Sequence, residues 1–219
     1  MSVNSVYSKD NLSTIVANYI KDKILAMELK AGDRIIEKKI SDDLSISRAP
    51  IREAIKELEK EGVITTIPRK GAHVTEFSMN DLKEIFEIRL LLEYDIIKIL
   101  VNENLLTGSD MKQLTDIVDE MVRVAISTDA SACKWITINF MDMSFHTYLW
   151  EKSGSMRRVK ILKDMFFQLR IAMMYDTRLT DNLFNTASDH YAIIKSLAAK
   201  DIEATQRNLK NHIMTCRDQ

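Results

Sequence analysis

Four histidines occur in the 219-residue chain, and three of them, His146, His190 and His212, fall in its C-terminal half. Asp142 precedes His146 by four residues, so both project from one face of any helix that carries them. His190 keeps helical spacing with Ile193, Ile194 and Leu197; His212 sits between Leu209 and Ile213, ahead of Cys216. These positions put the three imidazoles on or near the inward stripes of three different helices. Three inward imidazoles and one carboxylate suit a divalent metal in a helical bundle. The spacing leaves an ordinary alternative open. Each histidine would then be a core residue with a satisfied hydrogen bond, and Asp142 with His146 a simple i,i+4 pair. The mixed nitrogen and oxygen donors suit zinc, nickel or manganese without choosing among them; zinc is the working assignment. An octahedral ion with four protein ligands keeps two positions open, which a small carboxylate can fill. Arg89 and Arg170 are the candidates for its anionic end, because a buried guanidinium needs a partner. The competing reading is an ion pair within the domain, such as Arg89 with Glu93.

A second group of residues has the chemistry of DNA contact. Arg48 and Arg52 are four apart and share a face away from Ile51 and Ile55. The arginine fork pairs with O6 and N7 of guanine, and Ala49 between them can touch a thymine methyl. Lys38 and Lys39 open a short helix and can reach phosphate. Arg69 and Lys70 suit the minor groove or the backbone. Taken singly, each basic residue is more often a solvated surface charge. Residues 1–77 carry 13 basic and 12 acidic side chains, a net of only +1. The reading therefore rests on several basic residues sharing one expected surface, not on bulk charge.

The elements that must position these residues follow from periodicity. Apolar residues at helical spacing predict a helix over 12–29, started by Asn11, and a short one over 37–44. Ser45-Ile46-Ser47 is long enough only for a turn. Ser47 can cap a third helix running to Glu61, with Pro50 in its first turn and Gly62 at its end. The segments 63–67 and 72–77 are β-rich and flank Pro68-Arg69-Lys70-Gly71, which predicts a two-stranded hairpin with a basic tip. Helix, short helix, tight turn, helix and basic hairpin is the order of a winged helix-turn-helix. From Ser78 on the pattern is helical throughout. Six helices are predicted, over 79–103, 109–127, 130–152, 156–177, 183–199 and 201–217, with breaks that include Thr128-Asp129 and 177–181. The fold class is mostly α: an N-terminal winged helix-turn-helix over 1–77 and an all-helical bundle over 78–219.

Composition agrees. Gly (5) and Pro (2) are too rare for a β-sandwich or barrel. No stretch reaches the length of a membrane span, since Arg89, Glu93, Asp95 and Lys98 break the most apolar one. The N-terminus is polar and shows no signal peptide, and Cys133 and Cys216 fit free thiols, although one bridge between them is possible in principle. These features predict a cytoplasmic protein.

The stretch Ser47-Arg48-Ala49-Pro50-Ile51-Arg52-Glu53-Ala54-Ile55, with Leu58, Glu61-Gly62 and Lys70-Gly71-Ala72-x-Val74, resembles the GntR family of winged-helix regulators. The resemblance implies base contacts from Arg48 and Arg52 and a phosphate contact at Lys38. With Lys39, Ser47, Ala49, Arg69, Lys70 and Gly71 these residues make up the expected DNA-binding set. One departure is Ser45, where the family usually has glycine. The second domain resembles the FCD ligand-binding domain of the FadR subfamily. Its marks are Glu87-Ile88-Arg89-x-x-Leu92-Glu93, Asp142-x-x-Phe145-His146, Asp189-His190, and Asn211-His212-Ile213. Metal-binding members use an aspartate and three histidines, which correspond to Asp142, His146, His190 and His212. The resemblance favours Arg89 over Arg170 as an effector contact. A count of six helices is nearer the VanR-type subgroup than the seven-helix FadR type.

The expectation is a homodimeric regulator on a palindromic operator, governed by a small organic acid at a metal site. One rival is a metal-dependent hydrolase or lyase. It lacks an HExxH motif, a nucleophile elbow and a phosphate loop, and it leaves the first 77 residues unexplained. Another is a regulator whose metal is purely structural.

Overall fold

The computed structural model describes residues 11–127, 133–179 and 183–214, without the side chains of Cys133 and 174–179. Cys216, the Cys133 thiol, the polar N-terminus and the predicted break at Thr128-Asp129 lie outside the described residues. The chain divides into two compact units, Met1–Ser78 and Met79–Gln219.

In the first unit, α1 (Leu12–Leu25) starts at Asn11, whose side chain accepts the Ser13 N–H at 3.5 Å. It ends four residues before the predicted limit because Met27 takes a left-handed backbone (φ 61°). The helix α2 spans Glu37–Leu44 and α3 spans Arg48–Lys60. Ser47 holds the N-cap position of α3 but makes no side-chain capping bond. The α3 face formed by Ile51, Ala54, Ile55 and Leu58 is buried and packs on α1, which buries Val16, Ile20 and Ile24. Each such aliphatic side chain contributes about 1.5–3 kcal/mol on burial. Gly62 (φ 70°) follows the α3 C-cap in the left-handed conformation that favours glycine there.

The strands β1 (Ile64–Ile67) and β2 (Gly71–Val74) pair antiparallel, with Ile64 opposite Val74 and Ile67 opposite Gly71. The free edge of β2 also receives the segment before α2. Arg34 bridges to His73, and the Ile35 N–H donates to the Ala72 carbonyl at 2.8 Å. That extra pairing has no periodic signature, because only a few residues take part.

Ser45, between α2 and α3, is left-handed (φ 54°, ψ 39°). A Cβ in that region is strained, so glycine is the natural occupant. Ser45→Gly is expected to stabilise the unit by about 0.5–1 kcal/mol. That should raise its melting temperature by roughly 2–8 °C. An unchanged or lower melting temperature would show that serine relieves the strain here.

The second unit contains α4 (Met79–Asn102), α5 (Gly108–Ile126), α6 (Cys133–Lys152), α7 (Met156–Asp164), α8 (Phe166–Leu179), α9 (Leu183–Ala198) and α10 (Ile202–Met214). The predicted single helix over 156–177 is thus two, and the described residues form seven helices rather than six. No glycine or proline marks the break at Met165. Its ψ of −3° opens the helix locally, and helical hydrogen bonding resumes where the Leu169 N–H donates to the Met165 carbonyl at 2.9 Å. Both segments pack on α4 and α6, so the interruption belongs to tertiary packing that a periodic pattern does not display. A reciprocal capping box between Thr107 and Asp110 starts α5. Asp110 also accepts from Tyr148 and Lys152 at 2.6 Å each, tying that start to α6. Leu114, Val118, Met121, Ile138 and Ala187 join α5, α6 and α9 in a fully buried core. The helix α10 packs on α9 and α4, so α4, α6, α9 and α10 can all present residues to one interior point.

Candidate metal centre and DNA-contact surface

The interior point is polar. Asp142 and His146 enter it from one face of α6, His190 from α9 and His212 from α10, each on the same side as its apolar neighbours. All four are buried, and one ligand atom from each lies within 4.8 Å of the others. The Oδ1 atom of Asp142 lies 3.2 Å from His190 Nε2 and 3.0 Å from His212 Nε2, and its Oδ2 lies 3.8 Å from His146 Nε2. Both Asp142 oxygens and the Nε2 atoms of His146 and His190 have no hydrogen-bond partner. Orphaned buried atoms of this kind normally cost about 1–3 kcal/mol each. Four of them turned toward a common centre is the arrangement that a cation relieves.

The charge balance points the same way. One buried guanidinium, Arg89, faces two buried carboxylates, Glu93 and Asp142. Arg89 Nε donates to Glu93 Oε1 at 2.6 Å, and Arg89 Nη2 lies 3.8 Å from Asp142 Oδ2. Glu93 Oε2 in turn accepts from His146 Nδ1 at 2.8 Å. With neutral imidazoles the cluster carries an uncompensated negative charge, which a divalent ion neutralises. The residues present therefore fit a metal.

Titration follows from this burial. Burial, reinforced by His190, pulls His212 down to about 3 against the opposing pull of Asp142. Burial and Arg89 also hold His146 below its ordinary range, although Glu93 and Asp142 oppose them. Burial alone would raise the carboxyls, but His146 and Arg89 bring Glu93 down to about 2. The histidines likewise hold Asp142 well below its usual range. In the unfolded chain His146 and His212 take up protons near 6.5, but in the native protein only at lower pH, about 3 for His212. Between those limits the unfolded state binds more protons, so stability falls as pH falls. The carboxylates add a loss of the same sign below their ordinary values of 3.8 and 4.5. The metal-free protein is thus expected to lose stability progressively from about pH 6.5 downward. Urea midpoints measured in chelator across pH 4–8 check this, and a midpoint flat down to pH 5 would contradict it.

Of the two arginines singled out from sequence, the fold brings Arg89 to the cluster. Arg170, on α8, is engaged with α6: its Nε donates to Asn139 Oδ1 at 3.4 Å, and its guanidinium lies over the exposed Phe140 ring. The ion pair of Arg89 with Glu93 is present, as the competing sequence reading had it. Sequence reasoning did not foresee Glu93 as the partner of His146. The two lie 53 residues apart on different helices, and no local spacing links them. Phe145, beside His146 in sequence, closes the cluster with its ring edge-on to His146 and His190.

In the first unit, Ser47, Arg48, Ala49 and Arg52 are exposed at the start of α3, Lys38 and Lys39 at the start of α2, and Arg69 and Lys70 at the hairpin tip. Gly71 (φ 96°) lets the chain turn from that tip into β2. Arg52 Nε lies 3.1 Å from Glu37 Oε2 on the solvent side.

Residues 12–74 match the family described as bacterial regulatory proteins, gntR family, and residues 84–215 match the FCD domain. The chain belongs to the GntR family. It is a DNA-binding transcriptional regulator with an FCD effector-binding domain, not an enzyme. Among GntR-type relatives, it is 28% identical over 202 residues to the gluconate operon transcriptional repressor of Bacillus subtilis, covering 89% of this chain and 79% of that one. It is 26% identical over 205 residues to the HTH-type transcriptional regulator McbR of Escherichia coli, covering 91% and 88%. The fold is similar to that of the solved E. coli McbR/YncC structure, with TM-score 0.74, 20% identity, and 94% and 95% of the two chains covered. It also matches a GntR regulator from Rhodococcus sp. RHA1, with TM-score 0.71, 22% identity, and 93% and 94% covered. No described helix of this GntR protein is long and apolar enough to cross a membrane.

Proposed function

We propose that this GntR regulator is a homodimer that binds a palindromic operator in the cytoplasm and releases or grips it in response to a small carboxylate held at a metal centre. The observation that carries the reading is the convergence of Asp142, His146, His190 and His212, all buried, with one ligand atom from each within 4.8 Å of the others and with both Asp142 oxygens and the Nε2 atoms of His146 and His190 lacking hydrogen-bond partners. A divalent ion there, with zinc first and nickel or manganese as alternatives, supplies a Lewis-acid position for a carboxylate. Arg89 lies beside that point and offers the anion a second, charge-assisted contact. Arg170 is the weaker candidate, since Asn139 and Phe140 of α6 engage it. Residues 78–219 then form the sensing and dimerising domain and residues 1–77 the DNA-reading domain. In the latter, Arg48, Arg52 and Ala49 meet base edges. Lys38, Lys39, Ser47, Arg69, Lys70 and the Gly71 backbone meet phosphate or the minor groove. An effector acts only to the extent that it binds one arrangement of the two DNA-reading heads more tightly.

A purely structural metal is the second reading. It is favoured by the burial of Asp142, His146 and His190, each no more than 1% exposed. Melting curves against a panel of small carboxylates, before and after chelation, separate the two. A ligand at 100 times its dissociation constant adds about 2.7 kcal/mol. For a metal-dependent sensor, one carboxylate is expected to raise the melting temperature, and chelation to remove that effect. Loss of stability on chelation with no response to any carboxylate would establish the structural role instead.

A further inference from the structure

Glu93 stands outside the four-residue ligand set, but its two oxygens are divided between the two functions gathered there. Oε1 accepts from Arg89 Nε at 2.6 Å and Oε2 from His146 Nδ1 at 2.8 Å. An ionised carboxylate only accepts hydrogen bonds, so the His146 proton sits on Nδ1. That leaves the Nε2 lone pair aimed at the centre, where it has no hydrogen-bond partner. His190 reaches the same state by another route. Its Nδ1 donates to the Thr186 and Ala187 carbonyls of its own helix, at 3.1 and 3.2 Å. The His190 ring is thus fixed locally by neutral acceptors, and the His146 ring by a charged group on another helix. Glu93 is 2% exposed and His146 fully buried, so water does not compete for this bond.

We propose that Glu93 is the positioning residue of the metal centre. It selects the His146 tautomer, fixes the ring, and supplies charge that makes Nε2 a stronger donor. Arg89 holds Glu93 in place from the other side. The helix α4 contributes none of the four ligands, yet through Glu93 it is bonded to one of them. This inference rests on the metal reading above. Carboxylate partners of this kind typically change metal affinity by about 10–100-fold.

The test uses cobalt(II) as the probe, followed by its visible absorption on the full-length protein. Removing Glu93 alone strands a buried guanidinium and endangers folding. The comparison is therefore Arg89→Met against the double variant Arg89→Met, Glu93→Gln, in which no unpaired arginine remains. The double variant is expected to bind cobalt about 10–100-fold more weakly, with shifted absorption bands. Glu93→Asp, which keeps the charge at shorter reach, is expected to fall between it and the wild type. A second readout needs no metal. Ring ¹⁵N shifts of the metal-free protein should show His146 protonated on Nδ1 when Glu93 is present and a changed tautomer balance with glutamine. Equal cobalt affinity together with an unchanged tautomer would overturn the role of Glu93. A wild-type protein that takes up no cobalt, zinc, nickel or manganese would overturn the metal reading instead, while the ring shifts would still judge the Glu93 contact.

Discussion

Replacing His190 by alanine is expected to strip the metal from the protein, from about one ion per chain to close to none after dialysis. A residue that only orients a ligand changes affinity by about 10–100-fold, and a direct ligand should cost more. The geometry makes His190 a sharp test. Its Nε2 is 3.2 Å from Asp142 Oδ1 and lacks a hydrogen-bond partner, while its Nδ1 is satisfied by its own helix. The outward half of the ring is therefore fully employed without a metal, and the inward half is not. Helical content by circular dichroism controls for folding, and metal content by elemental analysis reads the result. Full retention of metal by a folded His190→Ala protein would remove this residue from the centre.

The second large effect is on DNA. Arg52→Ala is expected to weaken binding to the preferred operator by about 1–3 kcal/mol per half-site and to relax specificity at the base pair it meets. Binding to random duplex should weaken much less, because the phosphate contacts proposed for Lys38, Lys39 and the hairpin tip would remain. Arg52 is exposed on α3, outside the core formed by Ile51 and Ile55, so its removal leaves the fold intact. Selection of an operator from randomised duplexes, followed by titration of wild-type and variant proteins at fixed salt, measures both quantities. An unchanged preference at every position would take Arg52 out of base readout.

Much of this protein was legible along the chain because its elements are governed by near neighbours. The inward faces of α1, α2 and α3, the turn at Ser45, the basic hairpin tip and the breaks between most later helices depend on spacings of a few residues. Such spacings are written directly in the sequence. The four residues of the buried cluster could be picked out for the same reason: each sits on the buried stripe of its own helix, and Asp142 with His146 forms an i,i+4 pair. The GntR and FCD resemblances rested on equally local runs of residues.

What tertiary structure decided is everything that joins distant segments. The split at Met165 has no glycine or proline to announce it and accompanies packing on α4 and α6. The pairing of Arg34 with His73 adds the chain before α2 to the hairpin edge, a contact across 39 residues. Arg89 and Arg170 were both candidates in sequence, with the resemblance favouring Arg89, and one lies at the cluster while the other lies over an exposed phenylalanine ring. Glu93 looked like half of a helical ion pair, and only the packing of α4 against α6 gives its second oxygen to His146. Sequence alone determined which side chains point inward on each helix. Which of them meet depends on how the helices are packed, because side-chain contacts between elements follow interhelical geometry and carry no periodic mark along the chain.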